Sequence, residues 1–167
     1  KRFNLQDMNK SILLHQDLGL GPDVVDHKLR LSWPSATKQA IREKIKTETL
    51  SEEMRILYVA LTRAREKLII TGAVANVTQS VGKWASVAAG QETRLPHYEM
   101  LKGSNYLDWI GPALLRHKAC NSLRDNCGAG KEFHGRLMDD PSQWSIKIWN
   151  KRDVLNGTPS QEQEEND

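Results

Sequence analysis

No phosphate-binding loop, no apolar run of membrane-spanning length, no starting methionine and only two cysteines are found in this 167-residue sequence. Each absence narrows what the chain does. A Walker-type loop needs glycine, four residues, then glycine, lysine and a hydroxyl residue for magnesium. The nearest approach, Cys127-Gly128-Ala129-Gly130-Lys131-Glu132, has Asp125 at the first glycine position and Glu132 at the hydroxyl position, so it reads as a flexible loop. Without an apolar stretch of about 20 residues, no membrane-spanning helix is expected. There is no signal peptide, and the opening Lys1-Arg2-Phe3-Asn4 reads as the interior of a longer chain. Cys120 and Cys127 are seven residues apart, which matches no zinc spacing, so both are expected as free thiols kept reduced in a cytoplasmic setting. Hydrophobic residues make up 38% and charged ones 27%, enough for a core but suggestive of incomplete burial. The net charge of +3, more basic still without the acidic last seven residues, suits a nucleic-acid partner without demanding one.

What is present is concentrated between Glu52 and Gly72. From Met54 to Leu61 only Arg55 is neither apolar nor aromatic, which predicts a helix buried around most of its circumference. The polar residues Glu52, Arg55, Thr62, Arg63 and Glu66 recur on one helical stripe. Leu68-Ile69-Ile70-Thr71 then predicts a short core strand stopped by Gly72. A cation held at the end of such a helix suits phosphate recognition.

Tyr58-Val59-Ala60-Leu61-Thr62-Arg63-Ala64, preceded by Glu52-Glu53-Met54-Arg55, resembles motif VI of superfamily 1 DNA helicases of the UvrD and RecB type. In that family the arginine of the Thr-Arg-Ala triplet faces the γ-phosphate of ATP across the cleft between two RecA-like domains. The matching residue is Arg63, with Thr62 beside it. Arg2-Phe3-Asn4-Leu5, Leu14-His15-Gln16-Asp17-Leu18-Gly19 and Asn105-Tyr106-Leu107-Asp108-Trp109-Ile110-Gly111-Pro112-Ala113-Leu114 are similar to blocks found before and after motif VI in the AddA, or RexA, branch. These matches narrow the resemblance to helicase–nuclease subunits of bacterial recombination complexes.

Ile12-Leu13-Leu14-His15 predicts a strand, Gly19-Leu20-Gly21-Pro22 a turn, and Val24-Val25 and Leu29-Arg30-Leu31 extended edges. His15, Asp26 and His27 suggest a metal or a dyad, but nothing fixes their geometry and loop histidines are expected. A helix is predicted over residues 35–48, with Pro34 at its start, Ala36, Ala40, Ile41 and Ile45 as its apolar face and Lys38, Arg42, Lys44 and Lys46 as a solvated basic face. Thr49-x-x-Glu52 has capping-box spacing, so a break near 49–51 is expected before a helix running to about Lys67. Further helices are predicted over 80–89 and 105–117, the latter kinked or restarted near Gly111 by Pro112. Residues 119–142 look loose, and Trp144-Ser145-Ile146-Lys147-Ile148-Trp149 alternates as an edge strand. Residues 157–167 are expected to be a disordered acidic tail.

The resemblance implies an α/β fold class: the C-terminal part of a RecA-like, P-loop NTPase-type second motor domain over 1–75, then a helical and irregular extension over 76–156 leading toward a nuclease domain. It implies ATP and Mg2+ as cofactors of the intact protein, DNA ends and single strands as substrate, and recombinational repair as the process. The implied partner is a second helicase/nuclease subunit in an AddAB-like heterodimer. Arg63 would be the γ-phosphate-sensing arginine finger. Phosphoryl transfer also needs a phosphate cradle, a metal carboxylate and a water-orienting group. Only the arginine is present here, so the fragment alone is expected to be inactive. Asp139-Asp140 are weak candidates for nuclease carboxylates. The alternative is a non-catalytic DNA- or protein-binding module that keeps a helicase-like fold.

Overall fold

A computed structural model describes residues 2–89, 94–126, 128, 138 and 140–156. Its organising element is one helix, α1, over Ala36–Thr62, about 40 Å long at 1.5 Å per residue. Ser35 caps it, its side chain accepting from Lys38 N at 3.1 Å. The break expected near 49–51 does not occur. Residues 47–52 contain neither glycine nor proline, so nothing withdraws a backbone hydrogen bond and the capping-box spacing at Thr49 is not used.

The N-terminal half of α1 packs on a three-stranded antiparallel meander, β1 (Ile12–His15), β2 (Gly19–Asp26) and β3 (Leu31–Pro34). The 19–22 segment belongs to β2, and the first turn falls at residues 16–18 instead. His15 Nδ1 accepts from Asp17 N and Leu18 N there, and Gly19 at φ 74° provides the left-handed exit. Asp26 closes the second turn in the same way, accepting from Lys28 N and Leu29 N. Gly21 lets the sheet approach α1: a Cβ there would lie 2.7 Å from Lys38 Cα. Leu13, Met8 and Ile41 are buried in this contact. The alternate positions, paired as Ile12 with Pro22, Leu14 with Leu20 and Val24 with Trp33, face outward and are exposed.

The middle of α1 meets a second core. Leu50, Phe3 and Trp109 are buried together, with Met54, Leu57, Leu101 and Tyr106 packed against them. Beyond it, α2 (Val77–Ala88) crosses α4 (Leu107–Leu115), burying Val81, Ala85, Ala88 and Leu115. A short α3 (His97–Met100) precedes α4. α4 is one continuous helix through the buried Pro112 rather than two. Gly111 is needed where Trp84 crosses it, since a Cβ there would overlap the indole ring. The start of the 119–142 segment, expected to be loose, instead forms a 3-10 turn (Lys118–Cys120) and α5 (Asn121–Asn126). Arg124 donates to the Leu115 and His117 carbonyls, satisfying the end of α4. A final helix, α6, spans Lys151–Asn156.

Two expected strands are absent. Residues 68–71 and 144–149 form no ladder, and Leu68, Ile69, Ile70, Trp144 and Trp149 are exposed. Both segments have the required pattern, but no neighbouring strand among the described residues offers hydrogen-bonding partners, and an unpaired strand is not stable in water.

Candidate functional site

α1 ends at Thr62, and Arg63 is its C-cap at φ −79° and ψ −23°, so the arginine leaves the helix in line with its last turn. The turn is closed by Thr62, whose hydroxyl donates to Tyr58 O at 2.9 Å and Val59 O at 3.3 Å. Its proton is therefore committed to the helix, leaving oxygen lone pairs to face outward. Arg63 is exposed, and among the described residues no carboxylate pairs with it. The neighbouring cation Arg55 is by contrast engaged by Glu52 at 2.8 Å. An unneutralised guanidinium at a helix end is a planar donor fork available to an anion.

The surroundings of Arg63 correct the reading from sequence. Met54 and Leu57 are half-buried, but Ile56, Tyr58, Val59 and Leu61 are exposed, Val59 at 43% and Leu61 at 36%. The helix is packed on one side only, against the Phe3–Leu50–Trp109 cluster. The five-residue polar stripe is cut as well, because residues 63–66 lie beyond the helix end. The all-round apolar pattern requires a second packing surface, and none is present among the described residues.

The other candidates are committed to structure. His15 is a strand residue rather than a loop histidine, with Nε2 3.1 Å from Glu48 Oε2 and Nδ1 capping its turn. Asp26 caps its own turn, and His27 is exposed and apart. Lys38, expected on a solvated face, is buried in an ion pair with Asp23 at 2.7 Å and also donates to Ser11 O at 3.1 Å. Lys44 pairs with Glu48 and Arg42 donates to the neutral Asn9 amide, so of the four basic residues on this face Lys38 and Lys44 are paired with carboxylates. Lys38 and Arg42, with Trp33 and Gln39, line an open cavity of about 250 Å³ at the far end of α1 from Arg63. Asp140 Oδ1 accepts from Ser142 N at 2.9 Å, and the Ser142 hydrogen bonds hold its carboxyl below the usual range. Asp139, Cys127, residues 129–132 and residues 157–167 lie outside the described residues. Cys120 is a free, fully buried thiol, its pKa pushed up by burial. Among the described residues no group of His, Cys, Asp and Glu is placed to hold a metal ion, and no helix is long and apolar enough to cross a membrane.

A network around α4 was not evident from sequence. Asp108 Oδ2 accepts from Ser104 N, Ser104 Oγ and Asn105 Nδ2, while Asn105 Oδ1 accepts from Asp108 N. Asp108 Oδ1 accepts from Lys83 Nζ at 3.0 Å and Trp84 Nε1 at 3.4 Å, tying α4 to α2. Tyr106 OH donates to Glu53 on α1. The spacing of Asn105 and Asp108, three apart with a polar residue before them, is the signal of a reciprocal helix cap.

The family described as UvrD-like helicase C-terminal domain matches residues 14–75. Over all 167 residues the chain is 71% identical to the AddA subunit of the ATP-dependent helicase/nuclease of Acetivibrio thermocellus, covering 13% of that protein. It is 54% identical over 154 residues to the protein of the same name from Ruminiclostridium cellulolyticum, and 51% identical over 155 residues to one from Clostridium botulinum strain Kyoto, covering 12% of each. The chain thus spans about an eighth of the length of these relatives.

Proposed function

Because the chain belongs to the UvrD-like helicases, as a segment of the AddA kind, we propose that in the full-length protein Arg63 is the arginine finger of an ATP-driven DNA motor. The motor unwinds and processes double-strand ends beside a second helicase/nuclease subunit. Residues 1–75 close the second RecA-like domain, and residues 76–156 extend toward a nuclease domain. One observation carries this reading: Arg63 caps a 27-residue helix, is exposed, and has no carboxylate partner among the described residues. A salt-bridged structural arginine would be neutralised.

Among the described residues, ATP would meet this chain at that guanidinium; the Thr62 hydroxyl, its proton donated to the helix, holds the turn that presents it. The described residues hold no magnesium ligand set, so the phosphate cradle and the metal belong to other parts of the full-length protein. When bound, the nucleotide supplies the phosphoryl group; Arg63 meets the charge that spreads over it during transfer, and the fork geometry matters more there than in ground-state binding.

In the full-length protein, Arg63→Ala is expected to lower ATP turnover by about 10³-fold or more, with a smaller effect on ATP binding. Arg63→Lys should not restore turnover, because a point charge lacks the planar fork. Arg65→Ala, two residues on, is the tolerant control. Steady-state ATPase and unwinding assays decide it: unchanged rates in a folded Arg63→Ala protein would sink the assignment. The isolated chain should show no metal-dependent ATPase activity of its own.

A further inference from the structure

Two neighbouring residues at the start of α4 touch the chain on both sides of Arg63. Tyr106 donates its hydroxyl to Glu53, ten residues before Arg63 on α1. Leu107 lies against Gly72, nine residues after it: a Cβ on Gly72 would come within 2.7 Å of Leu107 Cδ1. The segment from Glu53 to Gly72, with Arg63 at its centre, is therefore suspended from one support.

That support is stiff. Asp108 is held by Ser104, Asn105, Lys83 and Trp84. The Tyr106 ring is packed with Phe3 and Trp109, at centroid distances of 5.3 Å and 6.2 Å, and Trp109 Nε1 donates to Met100 O at 2.9 Å. The last two turns of α1 have little else to fix them, since Ile56, Tyr58, Val59 and Leu61 are exposed. The N-terminal half of α1 is held by the Lys38–Asp23 and His15–Glu48 contacts, but bending or unwinding of these last turns would swing Arg63. Met54 and Leu57 make only non-directional apolar contacts, whereas the Tyr106–Glu53 hydrogen bond is directional and charge-assisted.

We propose that Tyr106 is a positioning residue for Arg63. Through Glu53 it holds the last turns of α1, beyond the part of the helix already anchored by the Lys38–Asp23 and His15–Glu48 contacts, while Leu107 packs against Gly72 in the returning segment, so that the guanidinium is presented in one orientation. Tyr106 is about 15 Å along the helix from Arg63 and does not touch the nucleotide. The proposal rests on the arginine-finger reading of Arg63. Its chemical consequence is that loss of the phenol hydroxyl impairs turnover but not ATP binding, because a misplaced group costs most in the transition state.

The test is a double-mutant cycle on ATP hydrolysis by the full-length protein, with Arg63→Ala, Tyr106→Phe and the combination. Tyr106→Phe keeps the ring in its aromatic cluster and removes one oxygen. It should lower kcat about tenfold and leave KM for ATP within about twofold. On the Arg63→Ala background it should have no further effect, since there is no guanidinium left to orient. Glu53→Ala should reproduce the loss from the other side of the hydrogen bond, and Glu53→Gln, which keeps an acceptor, should restore most of it. A Tyr106→Phe protein with kcat within twofold of the parent, or a loss that adds fully to that of Arg63→Ala, overturns the positioning role while leaving Arg63 in place. Unchanged turnover in Arg63→Ala would instead remove the reading on which both depend.

Discussion

Asp108 offers two oxygens to five donors: Lys83 Nζ, Trp84 Nε1, Ser104 N, Ser104 Oγ and Asn105 Nδ2. Burial pushes its carboxyl up, but the hydrogen bonds from Ser104 and Lys83 outweigh it and hold the group below the usual range. A carboxylate depressed in the folded state stabilises the fold above its unfolded pKa of about 3.9, and that contribution is lost as pH falls through the folded value. Thermal melts between pH 6 and pH 2.5 should therefore show the acid limb flattened in Asp108→Asn relative to the parent chain. At pH 7 the same substitution should cost about 1–3 kcal/mol, because an amide forces a donor against a cluster of donors. An unchanged acid limb would mean that Asp108 does not titrate with folding. At this scale the sequence misleads about one cap, since the Thr49–Glu52 spacing goes unused, and says nothing of partners. Asn105 and Asp108 have a recognisable spacing, but nothing in the residue order says that Lys83 and Trp84 converge on the same carboxylate. Likewise Lys38 reads as a solvated cation until the β2 register brings Asp23 to within 2.7 Å.

Among the elements, those defined by local pattern and local chemistry were legible and those defined by a partner were not. β1, with its four-residue apolar run, and α2 and α4, with their helical periodicity, stand close to where the sequence puts them. The 68–71 and 144–149 segments have strand patterns as good as that of β1, yet among the described residues they have no neighbour to pair with. The Thr49–Glu52 spacing points to a break in α1, but no residue there ends a helix and the helix runs through. The two faces of the meander give this contrast a measurable form. Leu13 is 3% exposed beneath α1, while Leu14, next in sequence, is 73% exposed on the opposite face. Leu13→Ala should cost about 2–5 kcal/mol in chemical denaturation. Leu14→Ala should stay within about 0.5 kcal/mol. Equal costs at the two positions would mean a register shifted by one residue, which turns every side chain of β1 over.

For the whole molecule, the most informative disagreement is the apolar surface around the candidate site. A sequence that makes 54–61 almost wholly apolar specifies burial on all sides, yet Ile56, Tyr58, Val59 and Leu61 before Arg63 and Leu68, Ile69 and Ile70 after it are all exposed. Exposed apolar area on this scale is rare on a self-sufficient domain. Relatives about eight times longer carry the same segment, so in the full-length protein this surface is expected to be covered by chain lying outside the 167 residues. Comparison of one substitution in two settings tests that. Val59→Asp places a charge on the exposed side of α1. In the isolated chain it should shift stability by no more than about 0.5 kcal/mol, the range of ordinary surface changes. In the full-length protein the same charge would be forced out of water without a partner, and stability should fall by several kcal/mol. The readout is the shift in melting temperature or denaturation midpoint of each, with Arg65→Ala as a surface control in both. A small and equal shift in the two settings would mean that this face of motif VI meets solvent even in the full-length protein. Arg63 would then stand in the open rather than at the edge of a closed nucleotide cleft, and its unpaired charge would lose its chemical meaning.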